Sequence, residues 1–162
     1  MPESYRVRLT KDYLTFSAAH FVTFQGDICE PLHGHNFRVT AELDGPLDRD
    51  YFVVDFITAL EILRELVKEL DHHVLLPTRH ALIQVTADDA SVEAVFRDRR
   101  WVFPRTDCVL LPVENTSSEL LARYLGERLL LALPARLGFQ PTRLSLEVDE
   151  CQGQSAVYVW TP

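Results

Sequence analysis

Between Asn36 and Leu43 polar and apolar residues alternate, and between Phe56 and Leu70 the period changes: Phe56, Ile57, Leu60, Leu63, Leu66, Val67 and Leu70 recur at helical intervals. Alternation gives an extended strand one apolar side, and recurrence at three and four residues gives a helix one apolar face. The change of period predicts a helix lying on a sheet, with Asp44-Gly45-Pro46 ending the strand and Asp55 capping the helix. The arrangement returns in reverse order. A second helix is predicted from Thr116 to about Leu131, buried through Leu120, Leu121, Tyr124, Leu125 and Leu129. Thr116 and Glu119 have capping-box spacing, and Pro134 marks the latest end. Strands at Arg143–Val148 and Ser155–Trp160 close the chain. Upstream, Tyr5–Leu9 and Leu14–His20 read as strands or one bent edge strand. Between the helices, Ala81–Thr86, Ser91–Phe96 and Arg100–Phe103 form short strands turned at Asp88-Asp89 and Arg97-Asp98. The fold class is α+β.

A chain of 162 residues, 47% hydrophobic, suits a single domain over residues 1–162. No apolar run reaches the roughly 18 residues of a membrane span, and Met1-Pro2-Glu3-Ser4 lacks the basic and apolar regions of a signal peptide. The expectation is a soluble, cytoplasmic protein without a membrane partner. Cys29, Cys108 and Cys151 are odd in number and not spaced as a zinc finger, so a reduced compartment fits. Cys108 beside Val109-Leu110-Leu111 is a packing residue, and Cys151 falls in a turn. The net charge of −8 opposes nucleic acid and anionic membranes but leaves room for an anionic small molecule held by a few arginines.

The chemistry gathers around Cys29-Glu30-Pro31-Leu32-His33-Gly34-His35-Asn36 and the earlier His20. Histidines two apart on a strand share a side, and a third from a neighbouring strand completes a three-nitrogen face. His20, His33 and His35 are therefore candidate metal ligands rather than hydrogen-bonded strand-end residues. Zn²⁺ is preferred for its Lewis acidity and exchangeable fourth position, with iron or another borderline metal as the rival. Cys29 is either an inert buried thiol or an acid/base group beside the metal. Asp71-His72 is either a helix terminus or an oriented proton relay, and His73 is less suited because adjacent imidazoles diverge. His80 has no supporting cluster. Glu147 lies opposite Leu144, Leu146 and Val148, either on a solvated face or as a carboxylate receiving two ligand N–H donors.

Together, Phe16-Ser17-Ala18-Ala19-His20, Cys29-x-x-x-His33-Gly34-His35-Asn36, Val54-Asp55-Phe56, Leu70-Asp71-His72-His73-x-Leu75, Glu114-Asn115-Thr116-Ser117-Ser118-Glu119 and Leu146-Glu147 resemble the 6-pyruvoyl-tetrahydropterin synthase / 6-carboxy-tetrahydropterin synthase family. Their order runs through nearly the whole chain. The resemblance implies a tunnelling fold: a four-stranded antiparallel sheet carrying two helices on one face, subunits joined into a barrel, usually a hexamer made as a dimer of trimers, and active sites at subunit interfaces. It implies zinc on His20, His33 and His35, Cys29 as base, Asp71-His72 as proton-transfer partner, Glu147 as pterin anchor, and Ser117 where the family has a pterin-contacting threonine. The four-residue offset from Cys29 to His33 resembles the 6-carboxy branch. That branch converts 7,8-dihydroneopterin triphosphate to 6-carboxy-5,6,7,8-tetrahydropterin, acetaldehyde and triphosphate, for queuosine and deazapurine biosynthesis.

Two features depart from the family pattern. The stretch from about His80 to Leu111 is longer than the usual connection, and Glu114-Asn115-Thr116-Ser117 replaces a common Asn-Pro-Thr. The insertion reads as scaffold or barrel rim. The rival enzymatic reading is pyruvoyl-tetrahydropterin formation or a related side-chain lyase. A rival of another class is a non-catalytic pterin-binding or assembly protein.

Overall fold

The structure, a computed structural model, describes residues 3–151 and 153–162. Its strands are β1 (Tyr5–Leu9), β2 (Thr15–His20), β3 (Thr23–Phe24), β4 (Ile28–Cys29) and β5 (His33–Gly45), followed by helix α1 (Phe56–Lys68). Then come β6 (His73–Pro77), β7 (Gln84–Ala87), β8 (Ser91–Phe96), β9 (Arg99–Pro104), β10 (Cys108–Leu111), helix α2 (Ser118–Leu137), β11 (Arg143–Cys151) and β12 (Gln154–Trp160). Cys151, expected in a turn, ends β11, and its side chain lies outside the description.

The main sheet runs β10-β6-β2-β5-β11-β12, with β1 also paired to β5. The long β5 makes this branching physically simple: its first half, His33–Arg38, pairs with β2, and its second half, Ala41–Gly45, pairs with β1. Strands β2, β5, β11 and β12 form the expected four-stranded antiparallel unit. The sheet as a whole is larger and mixed, because β6 joins β2 and β10 in parallel. Parallel neighbours require a crossover: the connection from β2 to β6 runs through β5 and α1, and that from β6 to β10 through β7–β9.

The alternation in β5 sorts its residues by face. Phe37, Val39, Ala41 and Leu43 are buried with Phe16 and Ala18 of β2 and with Leu144, Leu146 and Val148 of β11. Ala59, Ile62, Leu63, Leu66 and Val67 of α1, and Leu121, Ala122, Leu125, Leu129 and Leu133 of α2, cover that face. Asp55 caps α1 as predicted, accepting from the amides of Ile57 (3.1 Å) and Thr58 (3.2 Å). The ends of α2 differ from expectation. Ser117 is the N-cap and its side chain makes no capping bond, while Thr116 is buried and its hydroxyl donates to the Phe21 carbonyl at 3.2 Å. A tertiary partner has replaced the local capping box. Nor does Pro134 end the helix: burial of Leu133 carries it on to Leu137, and Gly138, with φ 62°, stops it. Proline near a helix end gives up few backbone bonds, whereas an αL glycine turns the chain out.

Strands β7, β8 and β9 form a separate antiparallel sheet over most of the predicted insertion. Its Val92, Ala94 and Phe96, with Ile83, share a second core with Phe21, Cys29, Leu76 and Cys108. The insertion therefore packs on the segment that carries Cys29. His80 fixes its beginning. The His80 Nδ1 accepts from the amides of Leu82 (2.8 Å) and Ile83 (3.0 Å), so Nε2 carries the proton and donates to the Thr23 hydroxyl at 2.7 Å. Among the described residues no helix is long and apolar enough to cross a membrane.

Candidate metal centre

His20 ends β2 and pairs across the sheet with His33, the first residue of β5. His35 follows on the same side as His33, the side that Phe37 and Val39 continue into the core. Gly34 makes the strand approach close: a Cβ there would meet the Ala18 carbonyl oxygen at 3.1 Å. The ring centroids of His20, His33 and His35 lie 4.7–5.3 Å apart and the rings meet edge to face. His20 Nδ1 donates to the Thr116 carbonyl and His33 Nδ1 to the Pro31 carbonyl, each at 2.8 Å. Because a carbonyl only accepts, both rings hold their proton on Nδ1 and turn an unprotonated Nε2 toward the cluster.

The fit to a metal is carried by atoms that are otherwise costly. Nε2 of His20 and of His35 is buried without a hydrogen-bond partner. His35 Nε2 stands 2.9 Å from Glu150 Oε1, a contact short enough for an ion pair but out of line for a hydrogen bond. One ligand atom from each of His20, His33, His35 and Glu150 lies within 4.8 Å of the others, so the set converges on a common point. Burial, above all, holds the pKa of His20 below its ordinary value, outweighing the Thr116 carbonyl. The neutral imidazole that results is the form a divalent ion requires. The donor set suits zinc or another borderline ion.

Two carboxylates at this cluster went unselected in the sequence. Glu150 sits three residues beyond Glu147 on β11, and an odd offset reverses the face of a strand. Glu150 therefore follows Leu144, Leu146 and Val148 to the histidine side, where its Oε2 accepts from the buried Ser118 hydroxyl at 2.8 Å. Glu147, the expected anchor, pairs with Thr40 and Val157 on the face turned away from the helices, so the structure does not bring it to the histidines. Extending the alternation of 143–148 by two residues would have found Glu150. The second carboxylate, Glu30, has Oε2 3.5 Å from His33 Nε2. Ser117 is the N-cap of α2, and it is its neighbour Ser118 that bonds to Glu150.

Cys29 is only 9% exposed and packs into the second core, with Sγ donating to the Glu30 carbonyl at 3.5 Å. Burial pushes its thiol pKa up, and the nearby Arg99 guanidinium opposes that rise. Asp71 and His72 form the expected pair, His72 Nδ1 being 2.9 Å from Asp71 Oδ2. Asp71 Oδ1 also accepts from the Ser17 amide (2.8 Å), and the His72 amide donates to the Ser17 carbonyl (2.6 Å). Burial pushes the Asp71 pKa up, but the Ser17 amide and His72 together hold it below the usual carboxylate value. His72 has φ 61° and its side chain is 81% exposed at an open cavity of about 460 Å³, lined also by Ser17, Ala19, Gly34 and Asn36. His73 turns inward to its neighbour, Nδ1 donating to the Asp71 carbonyl at 2.7 Å. Among the described residues no contact joins Cys29 to Asp71 or His72: the thiol lies under β7–β9, the pair beside Ser17.

Residues 8–159 match the family model described as 6-pyruvoyl tetrahydropterin synthase. The chain is 33% identical over 147 residues to a protein of Methanocaldococcus jannaschii, covering 90% of this chain and 89% of that one. It is 29% identical to a protein of Pyrococcus horikoshii, covering 70% and 68%. Both relatives are described as "Putative 6-carboxy-5,6,7,8-tetrahydropterin synthase". Its structure is similar to a Plasmodium vivax 6-pyruvoyltetrahydropterin synthase in which a catalytic glutamate is replaced by alanine, with a TM-score of 0.90, 27% identity, and coverage of 99% and 100%.

Proposed function

Because this chain belongs to the 6-pyruvoyl tetrahydropterin synthase family, we propose that it is a zinc-dependent 6-carboxy-5,6,7,8-tetrahydropterin synthase. In this reading it takes 7,8-dihydroneopterin triphosphate and water to 6-carboxy-5,6,7,8-tetrahydropterin, acetaldehyde and triphosphate, a cytoplasmic step toward queuosine and other deazapurines. The observation that carries the proposal is the three-imidazole cluster with Cys29 four residues before its second member. The pterin ring gains the electrons that the side chain loses, so the stoichiometry closes without a nicotinamide or flavin.

His20, His33 and His35 would hold the ion through Nε2, and zinc held there supplies Lewis acidity toward the side-chain oxygens of the substrate. The remaining work belongs to the protein. Glu150, fixed by Ser118, offers the carboxylate that a guanidine-like pterin edge needs, and Ser117, the N-cap residue before Ser118, is the hydroxyl we assign to the pterin. This reading moves the anchor from Glu147 to Glu150. Glu30 supplies a carboxylate 3.5 Å from His33, and Cys29, the residue before it, is the thiol base in this reading. Asp71 orients His72 as a second proton station. Its placement away from Cys29 within one chain favours a site completed by a neighbouring subunit. The end strands β10 and β12 leave pairing edges on both sides of the sheet, which ring closure would satisfy. A hexamer built as a dimer of trimers is the assembly we propose.

Incubating the zinc-loaded protein with 7,8-dihydroneopterin triphosphate and identifying products by mass spectrometry tests the reaction. Acetaldehyde in equal amount with the 6-carboxy product is expected, and a retained diketo side chain rejects this branch. One observation favours a pyruvoyl-type reading: the Glu30 carboxylate at His33, in a chain whose fold is similar to that of an enzyme with a catalytic glutamate. Pterin binding without any turnover would instead favour the non-catalytic alternative.

A further inference from the structure

The insertion reaches back to the segment that carries both candidate bases. Arg99 opens β9 just after the turn at Arg97-Asp98, and its Nη1 donates to the Cys29 carbonyl at 2.7 Å while its Nη2 donates to the Glu30 carbonyl at 3.3 Å. These carbonyls belong to adjacent residues, so one planar fork grips the backbone where β4 gives way to the approach to His33. The fork is itself held. The guanidinium lies 4.6 Å from the centroid of Trp101, and Trp101 stacks on Phe21 at 4.4 Å with the rings 16° apart. Phe21 is fully buried and directly follows His20. A second link runs in parallel, from the Arg97 guanidinium to Asp27 at 2.8 Å, across the β3–β4 turn. The path from His20 through Phe21, Trp101 and Arg99 to Cys29 and Glu30 is thus a continuous set of contacts.

We infer that Arg99 is a positioning residue, with its insertion serving as a brace that sets the Cys29–Glu30 backbone relative to the histidine cluster. The inference rests on the reading that Cys29 and Glu30 act on substrate, and it assigns the insertion a part in the reaction without placing it in contact with the pterin. Lysine cannot replace the arginine fully, since an ammonium has no planar fork to span two carbonyls. Losing the fork frees the segment to open locally, which exposes a thiol that is now buried.

The test compares unaltered zinc-loaded protein with Arg99→Gln and Arg99→Lys. We expect Arg99→Gln to lower kcat about 10- to 100-fold with KM within about threefold, since a misplaced group costs rate more than binding. Its metal content should be unchanged, and Cys29 should be alkylated by iodoacetamide at least about fivefold faster, followed by peptide mass spectrometry at pH 9.5. Arg99→Lys should fall between the two. Unchanged kcat, unchanged Cys29 alkylation, or a kcat loss that tracks loss of metal each overturns the inference. If Arg99→Gln does not fold, Arg99→Lys carries the same readouts, and values equal to those of the unaltered protein overturn it. Absence of turnover by the unaltered protein rejects the proposed reaction instead. Alkylation, which needs no pterin, then decides the brace.

Discussion

Glu147 and Glu150 are the same residue type three positions apart on one strand, and strand parity gives them opposite surroundings. If Glu150 anchors the pterin as proposed, Glu150→Gln should reduce kcat/KM by about two to three orders of magnitude, because it would remove a charged acceptor from the pterin edge. Glu147→Gln should stay within about threefold, and steady-state kinetics on the two variants checks both expectations. His20→Ala should leave the purified protein with less than about a tenth of its metal by elemental analysis, since it takes one of three imidazoles from the set. Away from the site, Asp44 accepts from Arg6 at 2.6 and 2.8 Å, and this bonding lowers its pKa despite an opposing contribution from burial. A depressed folded-state pKa means that the stabilisation is present above the unfolded value, about 4, and is lost as pH falls through the folded value. Asp44→Asn should accordingly destabilise the protein at pH 7 and show a shrinking difference as the medium is acidified. Urea unfolding at neutral and acid pH measures this.

Among elements, α2 shows tertiary packing outranking local preference. Gly126 sits in mid-helix, where alanine is the better helix former by about 1 kcal/mol. Yet a Cβ at that position would stand 2.6 Å from Cδ1 of Tyr158 on β12 and 3.5 Å from Leu144. Gly126→Ala should therefore destabilise by about 1–3 kcal/mol, and a rise in thermal midpoint would reject the close approach. Thr116 illustrates the same ordering at the N-terminus of the helix. Its spacing to Glu119 matches a capping box, but its hydroxyl is taken by Phe21 and its carbonyl by His20. Helix α1 rests on fewer competing demands: the Asp55 cap and the apolar stripe agree, and the predicted and observed helices begin at the same residue. The strands of the insertion were legible by alternation and turn residues, whereas their placement over Cys29 depends on contacts between residues about 70 positions apart, such as Arg99 with Cys29.

On the scale of the whole molecule, the separation of Cys29 from Asp71–His72 bears on assembly. If a site takes its thiol from one subunit and its histidine from a neighbour, two inactive variants can repair one another. Co-expressed Cys29→Ala and His72→Ala chains should recover about one quarter of full activity on random mixing, because about one site in four then receives both intact groups. Activity no higher than that of the separate variants would place both groups in one subunit. The sequence by itself determined the α+β class, the two helices, most strand positions and the gathering of His20, His33 and His35, because local periodicity and two-residue spacing dictate which side chains share a face. Tertiary structure alone decided that β6 and β10 widen the sheet, that Arg99 grips the Cys29–Glu30 backbone, and that the face of β11 carrying Glu150 comes to the imidazoles. Each of these depends on how far a strand runs before it bends or which distant segment packs beside it, and no local pattern carries that information.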